Sequence, residues 1–153
     1  EARTRSDYYT VSLDNGERKQ IAQADYGRFR LSPQGKYAYW YGETDSCWYT
    51  IALAEGKRYR LTTPESFPAW DEENDVPNHP YAHGAAGWTA NDQNLLIYDR
   101  YDIWKFDPTA ATSPINLTVN GRKEKLSYRL EQLDKEAAII KRIQRDHERI
   151  RIL

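Results

Sequence analysis

Methionine is absent from the 153 residues and cysteine occurs once. A chain of this length without methionine reads as a fragment or an incomplete gene product. The single Cys47 excludes an internal disulfide, and its place beside Trp48 predicts a packed thiol rather than a reactive one. An excess of one charge is missing too: 22 Lys and Arg stand against 23 Asp and Glu, a formal net charge of −1. Such balance supplies no global pull toward nucleic acid or an anionic membrane. No apolar run approaches the roughly 20 residues of a membrane-spanning helix, and the first residues lack a basic-then-apolar leader. Export of a parent protein stays open between periplasm and cytoplasm.

Reaction chemistry is also thin. A nucleophile elbow needs Gly-x-Ser-x-Gly, because small neighbours let a strained strand-to-helix turn expose the serine oxygen. None of the seven serines is so flanked, and no alternating strand-helix pattern follows that could build the sheet beneath one. The chain alone is therefore expected to be non-catalytic.

What the chain does contain is repetition. Residues 8–22 (YYTVSLDNGERKQIA) align with 48–62 (WYTIALAEGKRYRLT) at an offset of 40, with Tyr, Thr, Leu, Gly and Arg shared at five of fifteen positions. Residues 103–118 (IWKFDPTAATSPINLT) form a third copy at an offset of 55 to 56, ending in the same Leu-Thr pair. Self-similarity at this period marks stacked units, none of which can bury its apolar face alone.

Each unit reads as strands. Tyr9, Val11 and Leu13 alternate with Thr10, Ser12 and Asp14, as Tyr49, Ile51 and Leu53 alternate with their neighbours, which predicts that the odd positions face inward. Asn15-Gly16 and Glu55-Gly56 then turn the chain, Asn-Gly in the manner of a two-residue type I′ hairpin. Upstream turns at 32–35 and 89–92 are flanked by strands, of which Tyr37 to Tyr41 and Asn94 to Tyr98 suit the buried middle of a small sheet. The unit is strand, turn, strand, loop, strand, Gly turn, strand, as in a propeller blade.

Those residues carry a resemblance. Leu31-Ser32-Pro33-Gln34-Gly35-Lys36-Tyr37 resembles the Ser-Pro-Asp-Gly-Lys signature of TolB-type propeller repeats, with Gln34 where Asp is usual. Gly87-Trp88-Thr89, Asn91-Asp92, residues 96–104 (LIYDRYDIW), Asn116-Leu117-Thr118 and Gly121-Arg122-Lys123 resemble the propeller of bacterial prolyl-oligopeptidase-family serine peptidases. The likeness runs over about residues 8–133. It implies a propeller that limits access to, and selects peptides for, an α/β-hydrolase domain absent from this chain.

Counting units gives an all-β partial β-propeller, with about two complete and two incomplete four-stranded antiparallel blades. Residues 8–22 end one blade, 23–62 and 67–118 form two more, and 119 onward begins a fourth. The organisation is a propeller segment over 1–133 and then 134–153 as a partial next blade or a charged C-terminal helix or tail. For that tail, Leu126, Tyr128 and Leu130 alternate like a strand, while Leu126, Leu130, Leu133, Ala137 and Ile140 make a helical stripe. Open blade edges and faces predict self-association unless a parent chain covers them.

An insertion at 71–86 (DEENDVPNHPYAHGAA) is the natural seat of function, since loops on rigid scaffolds carry most binding. His79 and His83 sit four apart, but Pro77 and Pro80 disfavour the helix that would aim both at one metal. Neither a metal nor a cofactor is expected. Trp70-Asp71-Glu72-Glu73 resembles the paired glutamates with which dipeptidyl-peptidase propellers hold a substrate's terminal ammonium. That resemblance implies Glu72 and Glu73 as substrate contacts, an exposed acidic turn being the plain alternative. Asp99 and Asp102 are expected to order a tight connection through Asx-type hydrogen bonds. The Asn116-Leu117-Thr118 sequon reads as blade architecture, because Arg60-Leu61-Thr62 repeats its position. Two function classes remain: a peptidase propeller segment with a hydrolase domain and peptide substrates as partners, or a TolB-like or WD-repeat-like interaction scaffold.

Overall fold

The computed structural model describes residues 5–25, 27–131, 139–140, 143–146 and 149–152. Its strands are β1 (Ser6–Val11), β2 (Arg18–Asp25), β3 (Arg30–Leu31), β4 (Tyr37–Gly42), β5 (Cys47–Ala52), β6 (Lys57–Arg60), β7 (Ala85–Thr89), β8 (Leu95–Tyr98), β9 (Ile103–Phe106) and β10 (Ile115–Asn116). A one-turn helix α1 (Gly121–Glu124) follows, then β11 (Ile139–Ile140), β12 (Ile143–Asp146) and β13 (Arg149–Ile152). The fold is all-β. β1 and β2 form an antiparallel hairpin, β3 to β6 and β7 to β10 form antiparallel meanders, and β12 pairs with β13. No helix among the described residues is long and apolar enough to cross a membrane.

The middle strands of the β3–β6 sheet, β4 and β5, are buried on both faces because they carry large side chains on both. Toward the first hairpin, Trp40, Cys47, Tyr49 and Ile51 pack with Ile21, Phe29 and Leu53. Toward β7–β10, Tyr39, Tyr41 and Trp48 pack with Phe67, Trp88, Leu95, Ile97 and Phe106. The strand period of two thus sends alternate aromatics of β4 into two different cores. One side builds a ladder: Tyr8 on Phe29 at 4.0 Å, Phe29 on Trp40 at 4.1 Å, Trp40 on Tyr49 at 5.2 Å, capped by the Arg58 guanidinium 4.1 Å from the Tyr49 ring centre. Gly27 is required beside it, since a Cβ there would lie 2.3 Å from Trp40 Cδ1.

The repeated Leu-Thr pair has one structural role in both meanders. Leu61 N donates to Trp48 O at 2.8 Å and Leu117 N to Ile103 O at 2.9 Å, so each leucine extends the last rung of its sheet. The following threonine hydroxyl then accepts an amide at the start of the facing strand, Trp48 N to Thr62 Oγ1 at 2.8 Å and Ile103 N to Thr118 Oγ1 at 3.2 Å. Thr118 is buried, which accounts for the sequon as architecture.

Four expectations are corrected. Tyr9, Val11 and Leu13 face outward, at 43%, 53% and 100% exposure, while Tyr8 turns in to Phe29; register shifts on either side of Tyr8 accompany this choice. The hairpin turns are not two-residue type I′. Ser12 pairs with Glu17 and Ala52 with Lys57, and each four-residue loop closes when a left-handed glycine donates back four residues, Gly16 N to Ser12 O and Gly56 N to Ala52 O. Residues 126–130 form no regular strand of a next blade. The amide of Tyr128 donates to Tyr101 O at 2.7 Å and that of Leu130 to the Tyr98 hydroxyl at 3.0 Å, which ties this stretch over the far face of β7–β10, where Tyr128 and Leu130 join Leu96 and Ile103. In place of a C-terminal helix, the described residues past 138 are strands, with β11 parallel to β7 and β12–β13 a hairpin. β-Branched isoleucines at 139, 140, 143, 150 and 152 favour that outcome. Residues 134–138 of the expected helix, and the boundary at 133/134, lie outside the described residues.

Candidate functional site

The insertion is anchored by charge. Arg122, in α1, donates from Nη2 to Glu72 Oε2 at 3.0 Å and from Nη1 to Glu72 Oε1 at 3.3 Å, a bidentate pair, and its Nη2 lies 3.7 Å from Asp99 Oδ2. Arg100, in the β8–β9 connection, pairs with Glu73. Both guanidinium groups lie over the Tyr101 ring, at 5.2 Å and 5.3 Å. The hydrogen bond to Glu72 is the main influence holding Arg122 firmly protonated, as that to Glu73 is for Arg100. The structure therefore brings Glu72 and Glu73 to one place, each already matched to a cation.

The connection beneath them is ordered by aspartates. Asp99 Oδ1 accepts Tyr101 N at 2.7 Å and Asp102 N at 2.5 Å, and its Oδ2 accepts Trp104 Nε1 at 3.2 Å. Asp102 is 2% exposed and accepts the Thr118 hydroxyl, Gly121 N at 3.0 Å and Arg122 N at 3.2 Å. Asp99 thus makes the Asx-type bonds expected of both carboxylates, whereas Asp102 reaches out of the connection to Thr118 and α1. His79 is exposed and His83 half-buried, and burial, then Arg129, holds the His83 imidazole below its usual pKa. No cluster of three or more metal-ligating side chains occurs among the described residues.

Two arrangements were not visible in the sequence. The first joins the two turns: Asp92, 2% exposed, accepts Ser32 Oγ at 2.5 Å, Gln34 N at 3.1 Å and Lys36 N at 3.2 Å, and so fastens the β3–β4 turn to the β7–β8 turn. Asn91 and Asp92 hold positive φ angles of 59° and 54° to make this contact. The motifs Ser-Pro-Gln-Gly and Asn-Asp were the available signal, but nothing in their spacing says that they bind one another.

The second is a cleft of about 420 Å³ between the two meanders, lined by Arg28, Arg30, Tyr39, Tyr41, Glu43 and Trp48 from one side and Tyr81, Ala82, Gly84 and Ala85 from the other. Arg28 and Arg30 make no ion pair among the described residues, and the buried Trp48 Nε1 has no hydrogen-bond partner among them. Burial, opposed by the neighbouring Ser46 hydroxyl, raises the Tyr41 pKa. Neither arginine stands in a motif, and only the fold sets both beside an inter-sheet seam. No family model matches this chain, and neither does any curated protein or solved structure.

Proposed function

We propose that the chain is a non-catalytic β-propeller segment of a serine peptidase resembling the prolyl oligopeptidase family, gating and selecting peptides for a hydrolase domain. The observation that carries this reading is the regular face-to-face succession of hairpin, meander and meander, with equivalent turns latched through Ser32 and Asp92. Radial repetition sets small antiparallel sheets side by side in this way and leaves only short, protected edges. The hydrolase domain and a peptide substrate are the partners this reading implies, and Tyr9, Val11 and Leu13 offer a face for further blades or a second copy.

A TolB-like interaction scaffold without peptidase activity is the second reading. One observation favours it: both candidate substrate glutamates are engaged by arginines of the same chain. Labelling with an active-site fluorophosphonate separates the two. On the first reading the probe labels the full-length gene product at a Gly-x-Ser-x-Gly serine and never labels this chain by itself. An unlabelled full-length product sinks the peptidase reading, and label on this chain sinks both.

A further inference from the structure

We propose that the cleft between the β3–β6 and β7–β10 meanders is a binding site for an organic carboxylate with an apolar or aromatic body. The inference goes beyond the peptidase reading and stands on the packing of the two sheets alone. Among the side chains lining the cleft, Arg28, Arg30, Tyr41, Trp48 and Tyr81 all carry hydrogen-bond donors, whereas Glu43 brings the single carboxylate. Two cations against one anion leave the cleft positive in a molecule whose total charge is −1. Tyr41 and Trp48 are at least nine-tenths buried, and with Tyr39 they line the cleft as an aromatic wall. An apolar body laid against that wall leaves water. The volume suits a small organic molecule.

Geometry orders the guest. Trp48 packs against Tyr39 and Tyr41, with ring centres at 6.5 Å and 5.6 Å, so the floor is an aromatic surface for a flat or branched apolar group. Arg28 and Arg30 alternate on β3 and its approach, are both exposed, and sit where a carboxylate would remain near water. Tyr81, 67% exposed, stands at the edge contributed by the insertion. The carboxylate therefore meets the guanidinium groups while the apolar body reaches toward the tyrosines and tryptophan. The terminal carboxylate of a peptide ending in an aromatic residue and a free arylalkanoic acid share this chemistry.

Calorimetric titration of the chain tests it, with three probes: 3-phenylpropionate, N-acetyl-Ala-Phe with a free carboxylate, and the same dipeptide as its amide. Saturable binding of an acid and at least about tenfold weaker binding of the amide are expected. Tighter binding of the dipeptide acid assigns a peptide terminus, and tighter binding of 3-phenylpropionate assigns a small acid. Arg28→Ala/Arg30→Ala should weaken the acid about tenfold or more without lowering the melting temperature. Equal affinity for acid and amide, no saturation by either acid up to about 10 mM, or undiminished binding by a folded double-arginine variant would overturn the site. Because no hydrolase is involved, a negative result leaves the fluorophosphonate experiment untouched.

Discussion

Tyr49 stacks on Trp40 and donates its hydroxyl to Asp45, and burial followed by that carboxylate pushes its pKa from 10.0 up to about 12. The folded state holds the phenol proton more tightly than the unfolded chain does. Its contribution is therefore complete below pH 10.0 and is lost as pH rises through about 12. Allowing for solvent screening, the loss should be on the order of 1 kcal/mol, and Tyr49→Phe should lessen it at a neutral-pH cost of about 1 kcal/mol. Melting temperatures on either side of pH 10.0 measure both; an equally steep alkaline fall in the variant refutes the assignment. Side chains of this kind divide by how local their environment is. Cys47 could be read as a packed thiol from its neighbours, and it is fully buried, with Arg60 Nη2 donating to its sulfur at 3.0 Å and burial raising its pKa. Arg28 and Arg30 could not be read as cleft residues, because what they face comes from more than fifty residues away along the chain.

Turns and strands were legible where the code is local. Tyr37–Gly42 and Leu95–Tyr98 are strands where apolar runs without Gly or Pro predicted them, and the Leu-Thr pairs recur because one backbone geometry recurs. The Ser32–Asp92 latch is a pairing between elements and had no local signature. Asp92→Asn should cost about 2–4 kcal/mol, since a buried carboxylate that accepts a hydroxyl and two amides would be replaced by a group with one acceptor. Urea unfolding measures the cost, and a cycle with Ser32→Ala should show coupling of about 1 kcal/mol or more. Strictly additive effects would mean that the two turns are held together by something else. The inward face of β1 was misread for the same reason: alternation specifies two faces, but only a neighbouring sheet selects which one is covered.

Across the molecule, burial is uneven. β4 and β5 of the middle meander are covered on both faces, whereas the first hairpin shows Tyr9, Val11 and Leu13 outward, with Leu31 61% exposed nearby. The exposed Tyr9, Val11 and Leu31 border a groove of about 670 Å³ between that hairpin and the sheet, lined also by Tyr8, Ile21, Phe29 and Leu53. Apolar strand faces of this kind drive association. Sedimentation of the chain at rising concentration should show dimers or larger species, and Val11→Lys/Leu13→Lys should return it to monomer with an unchanged β-sheet circular dichroism spectrum. A wild-type chain that stays monomeric throughout would refute self-association through this face.

The order of residues was enough to establish an all-β chain of repeated antiparallel units, because strand period, glycine turns and the Leu-Thr rung are all set within a few residues of one another. It was also enough to exclude a nucleophile elbow. Which face of β1 is covered, how the turn at Ser32 finds Asp92, where Glu72 and Glu73 spend their charge, and that Arg28 and Arg30 border a donor-lined cleft all depended on the packing of sheets distant in sequence. Pairings of that kind are settled only when whole faces compete for burial, and no local pattern of residues records the winner.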